Sequence, residues 1–147
     1  MSHTALLKAA LAAPLGLLGA VFGQTGWLVV ILIACAAADW LTGSTVAIKQ
    51  GNWRSRVARD GLWGKMGTFL AVLTAGVFDV LVWFITRFLP AGTLPFTYKT
   101  LLLPVVCIWY IATELGSLIE NAGALGAPVP AFLRKAVALL KSKFDRS

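Results

Sequence analysis

No charged side chain occurs between residues 9 and 38, and the break Gly23-Gln24-Thr25-Gly26 divides that stretch. Before the break lies an apolar segment over 6–22, with Pro14, Gly16 and Gly19 inside it. After it, a second apolar segment covers 27–48. A third covers 66–88, interrupted by Asp79 and Arg87, and a fourth covers 100–121, interrupted by Glu114 and Glu120. A helix needs about 20 mainly apolar residues to cross the hydrocarbon core. The last three segments meet that length and predict three transmembrane helices. The first is marginal, because Pro14 and its glycines weaken it as a helix. It is either a fourth span or a short helix in the interface. The expected fold is an all-α integral membrane protein, with 1–147 as a single membrane domain.

The end of the chain follows a different pattern. After Pro128 and Pro130, the apolar residues Phe132, Leu133, Ala136, Val137, Leu140 and Phe144 recur at helical spacing. Arg134, Lys135, Lys141 and Lys143 fill most of the other positions. This predicts an amphipathic basic helix over 131–144, suited to an anionic inner leaflet. A plain solvated helix with a packing stripe is the alternative.

Composition supports the membrane reading. Of 147 residues, 59% are hydrophobic and 13% are charged, against roughly 25% charged in an average soluble domain. Such a chain is too apolar for disorder, and two cysteines do not make a disulfide scaffold. The net charge of +7 would suggest nucleic acid in a soluble protein. Here its placement suggests orientation instead, and nucleic acid is not expected as a partner. Lys49, Arg54, Arg56, Arg59 and Lys65 fall between the second and third segments, opposed only by Asp60. Arg134, Lys135, Lys141, Lys143 and Arg146 follow the fourth. The connection between the third and fourth carries Lys99, with Arg87 nearby. The positive-inside rule then puts the Arg54 region and the C-terminus in the cytoplasm. Trp27, Trp53, Trp63, Trp83 and Tyr98 sit near the expected membrane boundaries, where amphipathic rings settle. Trp40 and Trp109 lie deeper and are expected to pack between helices.

Acids inside the spans are the side chains of most interest. A charged group at the bilayer centre costs about 2.5–3.5 kcal/mol on insertion scales. Asp79 continues a row of Gly67, Ala71 and Ala75 at spacing four, which favours close helix approach with a hydrogen bond across the contact. Ala112, Gly116 and Glu120 form a similar row, and Glu114, Ser117 and Asn121 make a second, polar face. Asp39 joins this set. The functional reading is self-assembly with an aqueous lumen lined by these residues. The alternative is internal packing of one small bundle, with the acids protonated or paired.

Soluble-type catalytic chemistry has little to work with. His3 is the only histidine, so neither a Ser-His-Asp nor a Cys-His arrangement is expected. Cys35 and Cys107 lie in apolar segments and read as small buried residues. No phosphate loop or metal-ligand cluster stands out, so no cofactor, no metal and no catalytic residue is expected. Leu32-Ile33-Ala34-Cys35 and Ala36-Ala37-Ala38 imitate processing sites, but a signal peptide needs a basic region directly ahead of its apolar core.

Several motifs taken together resemble the phage-lysis and toxin-secretion holin family. Ala38-Asp39-Trp40-Leu41-Thr42-Gly43, Ala47-Ile48-Lys49 and the stretch from Gly61 to Lys65 are similar to its first half. Its second half is matched by Glu114-Leu115-Gly116-Ser117-Leu118-Ile119-Glu120-Asn121, then Leu125-Gly126-Ala127-Pro128-Val129-Pro130 and Leu133. The spacing of Asp39, Lys65, Asp79 and Glu114 across the helices also matches. The resemblance covers roughly residues 27–143. It implies a small protein that accumulates in the bacterial cytoplasmic membrane and oligomerises into holes. Those holes let a cell-wall hydrolase, or in some relatives a toxin, reach the outside without specific contact. The expected partners are further copies of the chain and membrane lipids. A small ion or solute channel, or a transporter subunit, would use the same acids. A membrane enzyme acting on lipid head groups through Glu120-Asn121 is a third possibility.

Overall fold

The computed structural model describes residue 8 and residues 23–90, 93 and 98–144. Four helices account for most of them: α1 (Gln24–Lys49), α2 (Ser55–Thr86), α3 (Leu102–Leu125) and α4 (Ala131–Phe144). The described residues contain no strand. The protein is all-helical, and three of its helices are long and apolar enough to cross a membrane. The segment 6–22, apart from Lys8, lies outside the described residues.

Up-down-up topology places the C-terminal end of α1, the start of α2 and the end of α3 on one side. We call this the basic end, because Lys49, Arg54, Arg56 and Arg59 gather there. α3 is the central helix and packs against each of the other three, most extensively α1, while α1 and α2 touch only sparingly. The core is small. Leu32 of α1, Val72 of α2 and Leu103 and Cys107 of α3 form it, with Leu28, Val29, Val106, Tyr110 and Ile111 packed around. Large apolar side chains point outward along every span, including Ile31 and Leu41, Leu70 and Phe84, Val105 and Ile108. That is the arrangement lipid favours, since tails solvate apolar side chains as well as a protein core does.

α2 differs from the sequence expectation. It starts at Ser55, not at residue 66, so Arg56, Arg59 and Lys65 are helical instead of lying in a loop. At 32 residues it is about 48 Å long, against roughly 30 Å of hydrocarbon. Its charged first turns extend beyond the apolar layer, so apolar patterning does not register them. Arg56 and Asp60 pair along this exposed portion at 3.7 Å.

α3 ends at Gly126, whose φ of 98° is left-handed and suits glycine. The Ala127 N–H returns to the Ala122 carbonyl at 2.9 Å. Lys49 reaches across from α1 and donates to the Ala124 and Leu125 carbonyls at 3.1 and 3.0 Å. A cation therefore meets the negative end of the α3 dipole. The turn through Pro128 and Pro130 returns α4 against α3, where Val137 is buried. Val137 packs over Gly116, where a Cβ would stand 3.6 Å from Val137 Cγ1, an ordinary contact distance.

Candidate functional site

Two polar assemblies occupy opposite halves of the bundle. The first lies in the basic half. Lys65 of α2 donates to Asp39 Oδ2 of α1 at 2.8 Å and to Glu114 Oε2 of α3. Asn121, on the same face of α3 as Glu114, donates to Asp39 Oδ1 at 2.9 Å and to the Thr42 hydroxyl at 3.0 Å. Thr42 in turn donates to the Ala38 carbonyl at 2.8 Å. One ammonium thus joins carboxylates from two other helices, and an amide ties the ends of the network. Only 14% of the Lys65 side chain is exposed, and 7% of that of Glu114. Removing one partner from such a buried pair costs far more than removing a surface pair, because a charge is left uncompensated.

A cleft of about 400 Å³ opens beside this network, between α1 and α2, with α3 as its floor. Ser44, Lys65, Thr68, Thr113, Glu114 and Ser117 supply polar groups to a lining that also includes Trp40, Val57 and Ala58. Trp40 sits at its edge, donating its indole N–H to the Ala58 carbonyl at 3.0 Å. Its ring lies close to Gly61, where a Cβ would stand 3.6 Å away. Trp40 thus links α1 to α2. Trp109 differs from expectation: it is 41% exposed, on an outer face of α3, stacked on Tyr110 at 6.2 Å.

The second assembly closes the far end. Asp79 is 1% exposed and receives the backbone N–H groups of Leu101, Leu102 and Leu103 at 3.2, 2.9 and 2.8 Å. Tyr98 donates its hydroxyl to the same carboxylate. The first N–H groups of any helix lack intrahelical partners, and α3 has no cap from its own N-cap side chain. Asp79 supplies one from α2, and its charge suits the positive end of the α3 dipole. Burial and the adjoining carboxylate push the Tyr98 phenol up to about 12. Nearby, the Thr25 and Thr100 hydroxyls join α1 to the start of α3 at 3.3 Å.

The sequence candidates therefore separate. Asp39, Glu114 and Asn121 converge on Lys65, Ser117 lines the cleft beside them, and Asp79 belongs to the helix cap at the other end. Glu120 is exposed and makes no hydrogen bond or ion pair among the described residues. Within the chain, the row Gly67, Ala71, Ala75, Asp79 does not pack as one face. Ala75 and Asp79 are buried against α3, but Gly67 is exposed with open space around it. α2 meets α3 through Val72 and Asp79 in its far half and through Lys65 beside the cleft. Of the other row, Ala112 is buried and Gly116 receives α4. Arg54, Arg56 and Arg59 are exposed at the basic end, with Arg134 and Lys135 on α4. The side chains of Lys141 and Lys143 lie outside the described ones. Among the described residues, no three His, Cys, Asp or Glu side chains gather as a metal site.

Charge counting groups Lys65 with a basic connection, although the family resemblance sets it beside Asp39, Asp79 and Glu114, and it groups Tyr98 with boundary aromatics. A single cation beside a long apolar run was the available signal for the first. For the second there was none, because its hydroxyl bonds to Asp79, an acid on a different helix.

Residues 16–142, which include both assemblies, match the bacteriophage holin family. The chain belongs to that family. Within this holin-family chain, similarity to individual proteins extends over most of the length. An uncharacterised protein of Halalkalibacterium halodurans is 33% identical over 137 residues, 93% of this chain and 95% of that one. One from Clostridium perfringens is 32% identical over 84% of this chain and 82% of its own. Another, from Listeria monocytogenes, is 26% identical over 85% of this chain and 79% of its own. No solved structure matches the holin-family chain.

Proposed function

We propose that this protein is a holin in the working sense: it oligomerises in the bacterial cytoplasmic membrane and forms holes. The holes release a cell-wall hydrolase, or a toxin, and time the lysis of the host. Membership of the holin family over nearly the whole chain carries this reading. The polar residues support it physically. An ordinary three-helix anchor has no need of Asp39, Lys65, Glu114, Ser117 and Asn121 at membrane depth, where charges are costly. A protein that must later border water does.

The basic end faces the cytoplasm in this proposal. Lys49, Arg54, Arg56, Arg59, Arg134 and Lys135 gather there, and excess Lys and Arg marks the inner side. α4 then lies at the inner leaflet, with Arg134, Lys135, Lys141 and Lys143 available to anionic headgroups. The chain is a hole-former and not a catalyst; the hydrolase or toxin passes through without specific contact.

Co-expression with a cytoplasmic cell-wall hydrolase that lacks a signal sequence tests this. Culture density and membrane potential are followed together. Abrupt lysis that requires both proteins is expected. Depolarisation without lysis would favour an ion or solute channel built on the same acids, and neither effect from membrane-inserted protein would overturn both readings.

A further inference from the structure

This inference rests on the hole-forming reading and concerns how the protomer prepares for it. A residue that borders a hole must face water. Yet Lys65 bonds Asp39 and Glu114 together, and Asn121 ties Asp39 to Thr42, so these groups face one another in the structure. Lys65 is the side chain by which α2 reaches both α1 and α3 in the basic half. Among the described residues, the other hydrogen bond between α1 and α2 there is from Trp40 to the Ala58 carbonyl. α1 and α2 otherwise touch sparingly, and the cleft between them already reaches Asp39, Lys65 and Glu114. No buried side-chain nitrogen or oxygen among the described residues lacks a partner. The protomer is thus suited to lipid as it stands.

We infer that the Lys65 bridge to Asp39 and Glu114 is a latch, which keeps the protomer closed in lipid and releases the polar faces of α1 and α3 when water enters the cleft. The physics depends on the medium. In lipid, separating the pairs strands charges without compensation, so the bridge is hard to open. In water, each charged group is solvated separately and an ion pair is worth little. The same bridge is therefore strong in an isolated protomer and weak at the wall of a hole. Water admitted by one opened protomer reaches its neighbours' clefts and weakens their latches too. Hole formation then has a threshold: slow to begin and abrupt once begun.

Two experiments test the latch. In cells, Lys65→Met should bring lysis forward relative to wild type at equal membrane levels, and Lys65→Arg, which keeps the charge, should hold the wild-type onset. Unchanged onset in Lys65→Met would overturn the latch. In vesicles, spin labels coupled to ketone-bearing residues at Thr45 and Val57, both exposed, report the separation of α1 and α2 without altering Lys65. Dispersed protomers should give one narrow distance. Samples dense enough to release an entrapped dye should give a longer, broader one. Dye release with an unchanged distance would overturn the latch and leave the hole-forming reading standing. Failure of the unlabelled wild type to release dye at any density would overturn the reading and the latch together.

Discussion

Asp79 is the residue whose role depends most on its neighbours' backbone. From the sequence it is an acid within an apolar run, fit for an assembly contact. In the fold it caps α3, accepting three N–H groups and one phenol. Asp79→Ala leaves those N–H groups unpaired at a buried helix end and should cost about 1–3 kcal/mol. Asp79→Asn keeps an acceptor and should cost less. Detergent-solubilised protein followed by circular dichroism through a denaturant titration measures both, and equal stability of Asp79→Ala and wild type would remove the capping role. Tyr98 supplies a pH signature. Its phenol is raised to about 12 in the fold, from about 10 in an unfolded chain. The folded state favours the protonated form, so this contribution to stability is complete below pH 10. It is lost as pH rises towards 12. Alkaline difference absorbance should show one of the two tyrosines ionising near the top of that range, and Asp79→Asn should lower its midpoint.

Among the elements, α4 has the most revealing packing. Its amphipathic pattern and its start after Pro130 are legible because charge and apolar positions alternate at helical spacing. Its docking on α3 is not, because it depends on a contact between two helices: Val137 packs against Gly116. Gly116→Ala adds a methyl at ordinary contact distance and should be tolerated. Gly116→Leu has nowhere to place its side chain without moving α4. Proteolysis of the detergent-solubilised protein should then cut α4 faster in Gly116→Leu than in wild type or Gly116→Ala. Equal cleavage in all three would mean that this contact does not hold α4. α2 illustrates the opposite limit of patterning. Its apolar portion is legible over two-thirds of its length, but its start is obscured by the charges of Arg56, Arg59 and Asp60. Those charges suit a helix projecting into headgroups as well as they suit a loop.

For the molecule as a whole, three spans and a basic end follow from run lengths and from where Lys and Arg fall. These are properties of one segment at a time. The polar network is a property of three segments at once. Asp39, Glu114 and Asn121 could be marked as out of place in lipid, but nothing in their own helices says that Lys65 meets the two acids. The sparse contact between α1 and α2 was equally hidden, since it depends on how both lean on α3. The resulting chain is apolar outside, leaves no buried side-chain nitrogen or oxygen unpaired among its described residues, and is open along a cleft that polar side chains line in part. The central claim is that many such protomers make holes wide enough for a folded protein. Purified protein in vesicles loaded with both a small dye and a folded enzyme tests that directly. The account predicts that, above a threshold density, dye and enzyme escape together and abruptly. Escape of the dye alone at every density, with the enzyme retained, would contradict it.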